Sequence, residues 1–170
     1  MKIRQADKDD IYAISRLYFD VYGGTYPDSH VKDFLHISEF LNDPNLHWLV
    51  AISENKIIAS VIYKYDPENK IAKAFGAVVE KQYRGHDLTE QMMQFGKKHL
   101  EKLPNGVDII YATTRTINAS AQILTEKQGY KKLGIFPNVR KAANYETHCL
   151  TALFLKSSFV IFLNCLNCNL

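Results

Sequence analysis

The sequence predicts an α/β (α+β) fold: a single domain with a mixed central β-sheet flanked by about four helices. Three observations lead there. Apolar residues recur at helical spacing in some segments and in short strand-like runs in others. Strand-like runs lie on both sides of the helical ones, which a mixed sheet covered by helices accommodates. A length of 170 residues, 46% hydrophobic and 23% charged, suits one domain able to enclose its own core. Such a composition excludes a disordered chain, a collagen-like repeat and a coiled-coil rod. No repeat, Pro/Gly linker or long charge run divides residues 1–156, which are expected to form the domain. Residues 157–170 are expected to be an apolar C-terminal tail, packed on the domain or at an interface.

The first strand is expected over Lys2 to Ala6. Asp7 then offers a helix cap, and Ile11, Ile14, Leu17, Tyr18 and Val21 repeat at helical spacing until Gly23-Gly24. Tyr26-Pro27-Asp28 reads as a turn. A second helix buries Val31, Phe34, Leu35, Ile37 and Leu41, and Asn42-Asp43-Pro44-Asn45 stops it. Strands over His47–Ser53 and Ile57–Tyr65 are joined by Glu54-Asn55-Lys56 as a hairpin. After the turn Asp66-Pro67-Glu68-Asn69 a third strand covers Lys70–Val79. Tyr83–Asp87 is a polar junction into a long helix whose face carries Leu88, Met92, Phe95, Gly96, His99, Leu100 and Leu103. Pro104-Asn105-Gly106 ends it. A strand over Val107–Thr113, a helix over Ile117–Gln128 closed by Gly129, and strands over Tyr130–Phe136 and Tyr145–Lys156 complete the chain, with Phe136–Lys141 as a loop. The order is β-α-α-β-β-β-α-β-α-β-β, and the step from Val79 to Val107 is expected to be a right-handed crossover between parallel strands.

Lys plus Arg total 21 against 18 Asp plus Glu, a formal charge of +3. Without a basic stripe, no nucleic-acid partner is expected. Three cysteines, Cys149, Cys165 and Cys168, cannot build a disulfide framework. The opening Met1-Lys2-Ile3-Arg4-Gln5-Ala6-Asp7 lacks the apolar core of a signal peptide, so a cytoplasmic location is the default. Ser157–Leu170 carries no charge, yet it falls short of the roughly 20 residues of a membrane span; no membrane partner is expected. Too apolar to stay solvated, it either extends the final strand or buries a homodimer interface, and an edge position favours the second. Cys165-Leu166-Asn167-Cys168 has metal-ligand spacing but no second pair, so no metal site is expected.

The chemistry is concentrated in Ala77-Val78-Val79-Glu80-Lys81-Gln82-Tyr83-Arg84-Gly85-His86-Asp87-Leu88-Thr89-Glu90. A strand enters a tight polar turn that opens a helix. Unpaired N–H groups and the positive helix end converge there, a ready site for a diphosphate. Asp87 and Glu90 also have capping-box spacing, so the plainer reading is a well-capped helix start. Downstream stands Asn118-Ala119-Ser120-Ala121-Gln122-Ile123-Leu124-Thr125-Glu126-Lys127-Gln128-Gly129-Tyr130.

Both segments resemble motifs of the GNAT acetyltransferase superfamily. Val79-x-x-x-Tyr83-Arg84-Gly85-x-x-Leu88-Thr89 is similar to its acyl-CoA binding motif, an Arg or Gln, two residues, Gly, one residue, then Gly or Ala. Arg84 takes the first position, Asp87 replaces the Gly, and Thr89 stands where Gly or Ala is commoner. Either Asp87 turns away to cap the helix, or its carboxylate weakens cofactor binding. The second segment is similar to Asn-x-x-Ala-x-x-Leu-Tyr-Glu-Lys-x-Gly-Phe. There the family's Asn contacts the pantetheine arm or the substrate side, and its Tyr protonates the departing thiolate; Asn118 matches the first, and Thr125 replaces the second. The resemblance spans about residues 2 to 155 and implies a single GNAT-like domain. It also implies acetyl-CoA as co-substrate, held by Ala77, Val78, Val79, Arg84, Gly85, His86, Asp87, Leu88, Thr89, Glu90 and Asn118.

The implied activity is direct acetyl transfer to an amine of a small molecule or protein, without a covalent enzyme intermediate. A backbone N–H around Val78 and Val79 would polarise the thioester carbonyl. An amine with a pKa near ~10.4 must first lose its proton, which calls for a base or a water relay. Glu146 and His148 alternate onto one face of a strand and are the candidate catalytic pair; the plainer reading is an exposed sheet face. Tyr22 and Tyr26 could line the acceptor mouth, and His30, His36 and His47 lie near the early helices. Asp87, Thr113 and Thr125 favour the alternative, a catalytically weak acyl-CoA-binding module with the same fold.

Overall fold

Asp7 starts the first helical stretch as its side chain predicts. In the computed structural model, which describes residues 1–26, 31, 33–85, 87–117, 119–141 and 145–155, its carboxylate accepts from the Asp9 N–H at 3.0 Å. Asp10 returns the bond by accepting from the Asp7 N–H at 2.9 Å. This capping box opens a 3-10 turn over Lys8–Asp10 that runs into α1 (Ile11–Tyr22), closed by Gly23 in the left-handed region. Arg4, on β1 (Lys2–Gln5), grips the Asp10 carboxylate with both terminal nitrogens at 2.6 and 2.9 Å.

Burial alone would push the Asp10 carboxyl up, but Arg4 and the Asp7 N–H outweigh it and hold the group below its ordinary 3.8. A depressed native value stabilises the fold above the unfolded pKa, and that stability is lost as the pH falls through the native one. Urea unfolding between about pH 2 and about pH 6 is expected to show acid sensitivity starting near 3.8 that Asp10→Asn reduces. An unchanged acid limb in that variant would contradict it.

The chain divides into two compact units, the first formed by Met1–Tyr65 with Ala74–Lys98 and the second by Asp66–Lys73 with His99–Leu170. In the first, α2 (Phe34–Asn42) is capped by Asp33, whose carboxylate accepts from the Leu35 N–H at 2.9 Å. Val31, expected inside this helix, is buried ahead of it. β2 (Leu46–Ser53) and β3 (Lys56–Asp66) form the predicted hairpin, with Ser53 opposite Lys56. Glu54 and Asn55 between them have φ of 49° and 61°, the paired left-handed residues of a two-residue hairpin turn. β1 pairs antiparallel with β2, and the order in this unit is β1-β2-β3-β4, where β4 is Ile71–Val79. Ile14, Leu17, Tyr18, Ile37, Trp48 and Ile62 are buried in its core. α3 (Leu88–Leu100) follows, shorter than expected because Leu103 falls in the turn after it.

In the second unit, β5 (Ile109–Arg115), α4 (Ala119–Lys127), β6 (Lys131–Lys141) and β7 (Tyr145–Phe154) give the order β5-β7-β6, both pairings antiparallel. Lys70 at the foot of β4 accepts from the Asp108 N–H at 2.8 Å. One expectation is corrected: Phe136–Lys141 is strand, not loop. The register shifts between Phe136 and Arg140, and Asn138 takes φ 53°. This irregularity accommodates Pro137, which cannot donate to a ladder, on a strand at the end of the order. The expected apolar tail lies outside the described residues. No helix of the described residues is long and apolar enough to cross a membrane.

Candidate active site

Gly76 breaks the regular course of β4 just before the residues expected to face a cofactor. Its φ is +64°, and an added Cβ would lie 2.9 Å from Ile62 Cδ1 and 3.0 Å from Tyr18 Oη. Both the conformation and the space require glycine. Tyr18 donates its hydroxyl proton to the Gly76 carbonyl. Beyond the kink Ala77 is exposed, Val78 is buried and Val79 is half-buried. Arg84 Nε donates to the Val79 carbonyl at 3.2 Å, so the first side chain of the expected phosphate motif folds back on the strand that precedes it.

Glu80 leaves β4 with its N–H on the Ile58 carbonyl at 2.9 Å. Its carboxylate accepts from Lys56 Nζ at 2.6 Å and Gln82 Nε2 at 3.0 Å. A 3-10 turn over Lys81–Tyr83 follows. Gly85 then has φ +80°, and nothing lies within 4 Å of an added Cβ. Asp87 has φ 52°, the left-handed region that glycine enters freely and aspartate tolerates better than most residues. An aspartate thus holds left-handed backbone at the position where the motif resemblance has glycine.

The expected capping box is not formed. Glu90 accepts instead from Gln94 Nε2 at 3.2 Å, and among the described residues the exposed Asp87 carboxylate has no hydrogen-bond donor. Left-handed backbone at Asp87 aims its side chain away from the N–H groups an N-cap residue serves from extended geometry. The helical ladder begins with Gln91 N–H on the Asp87 carbonyl at 2.9 Å. The N–H groups of Leu88, Thr89 and Glu90 therefore precede the ladder, at the positive end of α3. Open space at Gly85 and these amides suit a diphosphate; the Asp87 carboxylate, and that of Glu90 in the first turn, oppose it. Leu88 is buried and seats the helix start. His86 and Asn118, both expected to contact the cofactor, lie outside the described residues, as does His30.

The second unit holds Glu146 and His148 on β7. Side-chain exposures of 13% and 9% overturn the plain reading of an exposed sheet face. One Glu146 oxygen accepts from Arg115 Nη2, and the other lies 3.4 Å from His148 Nε2. Arg115 sits at the end of β5 opposite His148. It was not singled out in the sequence, since only the β5–β7 register brings it to Glu146. Such a chain orients the imidazole and keeps one nitrogen pointed at the carboxylate. Thr125 is buried, and its hydroxyl donates to the Gln122 carbonyl at 2.9 Å within α4. It is therefore committed to its own helix. The Tyr22 and Tyr26 rings lie 4.7 Å apart, tilted at 53°, and pack on the core of the first unit. Among the described residues no group of His, Cys, Asp and Glu could hold a metal.

The kinked strand, the left-handed turn and the open helix end belong to an α/β fold with a mixed sheet flanked by helices. The chain belongs to the acetyltransferase (GNAT) family, whose model matches residues 11–130. Acetyl-CoA-dependent acetyl transfer is general for that family of enzymes. The chain is similar to the N-acetyltransferase YodP of Bacillus subtilis (strain 168), 30% identical over 109 residues, a match covering 64% of this chain and 37% of that protein. Its fold is like that of a ribosomal-protein-alanine N-acetyltransferase from Brucella melitensis, with a TM-score of 0.73 at 18% identity over 91% of this chain and 100% of that one. It is also like an aminoglycoside 6'-N-acetyltransferase complexed with coenzyme A, with a TM-score of 0.72 at 18% identity over 91% and 97% of the two chains. The mixed sheet flanked by helices that the sequence predicts is the fold of these proteins.

Proposed function

We propose that this chain moves an acetyl group from acetyl-CoA directly to an amine of a small molecule or protein. The observation that carries the reading is the strand–turn–helix from Ala77 to Glu90, with Gly85 and Asp87 both left-handed inside the span matched by the family model. Gly85, His86, Asp87, Leu88, Thr89 and Glu90 offer backbone N–H groups to the diphosphate, and Arg84 holds the turn against Val79. Ala77, Val78 and Val79 are the strand residues assigned to the thioester, with the N–H groups of Ala77 and Val79 on one edge, and Asn118 is the residue assigned to the pantetheine arm. When bound, acetyl-CoA supplies an acetyl group already activated as a thioester: the amine nitrogen bonds to the carbonyl carbon as the C–S bond breaks. Backbone N–H groups of the strand stabilise the charge that grows on the carbonyl oxygen.

His148, oriented by Glu146 and through it by Arg115, takes the proton of the attacking amine. Thr125 does not return a proton to the thiolate, so solvent does. In this reading the protein works in the cytoplasm and pairs as a homodimer through its apolar tail. The buried, internally bonded Thr125 hydroxyl favours a second reading, an acyl-CoA-binding module with slow turnover.

Two measurements on the full chain separate the readings. Acetyl-CoA at about 100 times its dissociation constant should add roughly 2.7 kcal/mol of stability, read as a rise in melting temperature. No shift at millimolar acetyl-CoA contradicts both readings. Thiol release over a panel of amines then decides between them: acceptor-dependent release supports the transferase, and binding without release supports the module.

A further inference from the structure

Tyr18 is a buried polar group for which the mechanism above has no use. It lies on α1 at 2% exposure, with its ring against Tyr22, Tyr26 and Trp48. A site serving packing alone would take phenylalanine, because a buried hydroxyl must recover the hydrogen bonds it loses to water. This hydroxyl is tied at both ends. Its proton goes to the Gly76 carbonyl, and its oxygen lies 3.5 Å from Ser60 Oγ, which accepts from Trp48 Nε1 at 2.6 Å. With the Tyr18 proton committed to Gly76, Ser60 is the donor in the pair. The four groups then form one directional chain, Trp48 N–H to Ser60, Ser60 O–H to Tyr18, Tyr18 O–H to Gly76. Hydrogen bonds in series polarise one another, strongly so where water is excluded.

The chain ends on an irregular peptide. Gly76 at φ +64° departs from strand backbone, which has φ near about −120° to −140°. Its carbonyl is the last before Ala77, Val78 and Val79. Glycine gives this point its freedom, so a device that holds one conformation there sets the direction of the three N–H groups that follow.

We infer that Tyr18 is a positioning residue for acetyl transfer: its hydroxyl clamps the Gly76 carbonyl, fixes the Gly76–Ala77 peptide and thereby aims the N–H groups of Ala77 and Val79, which share one strand edge, at the thioester carbonyl. This rests on the function proposed above. It assigns the α1 tyrosine a role in recognising the acetyl group, distinct from holding the nucleotide end of the molecule.

The test compares the full-length protein with Tyr18→Phe, and with Ile14→Val as a control that trims a buried side chain of the same helix. In the free protein, the amide NMR signals of Ala77, Val78 and Val79 should move in Tyr18→Phe, and their hydrogen exchange should quicken by about tenfold or more. In the wild-type protein acetyl-CoA should bind about threefold to tenfold tighter than CoA, the gain expected from one net hydrogen bond. In Tyr18→Phe that ratio should fall to about one while the CoA dissociation constant changes by less than about twofold. Ile14→Val should lower the melting temperature and keep both the wild-type ratio and the wild-type amide signals. Retention of the ratio in Tyr18→Phe overturns the inference, as does loss of the ratio in both variants. If the wild-type protein binds neither CoA nor acetyl-CoA, the function itself is overturned. The amide arm still reports on the clamp: unmoved Ala77–Val79 signals refute it without any ligand.

Discussion

Gly96→Ala is expected to destabilise the protein by about 2 kcal/mol or more, although alanine is the better helix former. Gly96 lies in α3, and a Cβ built on it would sit 2.5 Å from Tyr63 Cζ and 2.6 Å from Tyr63 Cε2. Real Cβ atoms do not approach an aromatic ring so closely. Tyr63 is 1% exposed on β3, so its ring has no free space to enter, and either α3 lifts or the ring leaves its rotamer. Overpacking of this kind costs typically ~1–3 kcal/mol and occasionally more. The helix-propensity gain of ~1 kcal/mol offsets only part of a loss at the upper end of that range. Thermal unfolding should show a fall of about 4–8 °C at this chain length. Because α3 carries the amides of Leu88–Glu90 at its start, acetyl-CoA binding should weaken in the same variant. A second variant, Gly96→Ala with Tyr63→Leu, should recover much of the stability by removing the ring. An unchanged melting temperature in Gly96→Ala would show that α3 does not rest on Tyr63.

Asp87→Gly should bind acetyl-CoA about tenfold tighter, equivalent to ~1.4 kcal/mol. Aspartate here occupies a left-handed position at φ 52° and brings a carboxylate with no donor among the described residues to the turn proposed for the diphosphate. Glycine keeps that backbone and removes the repulsion. From spacing alone a lost helix cap would be expected to accompany the change, but the side chain makes no cap bond. Relief of left-handed strain and the greater freedom of glycine in the unfolded chain, each about 1 kcal/mol, oppose one another. The melting temperature without ligand should therefore stay nearly constant while the dissociation constant falls, as isothermal titration would register. Weaker binding would make the Asp87 carboxylate a working part of the site.

Local information was enough for the strand–turn–helix. Residues 77–90 are contiguous, and the bonds that shape them, Arg84 to Val79 and Gln91 to Asp87, join positions five and four apart. Periodicity likewise located the helices and strands within a few residues, because each must bury one face. It failed at Phe136–Lys141, where proline and a left-handed asparagine carry the signature of a loop. There the antiparallel pairing with β7 overrides local preference by absorbing both residues in an irregularity.

By itself, the sequence determined the order of elements, the family-like turn and the departures from its pattern at Asp87 and Thr125, since all of these lie within single short segments. Tertiary structure alone decided what the departures mean and which distant residues serve them. Asp87 proves to hold the glycine conformation rather than a cap, and Thr125 to spend its hydroxyl inside α4. Arg115 meets Glu146 across 31 positions, and Tyr18 meets Gly76 across 58. Those pairs depend on strand register and on which helix face packs inward, quantities set by burial of the whole core. No run of neighbouring residues encodes them, and so the amide-aiming clamp on β4 became visible only once α1 lay against it.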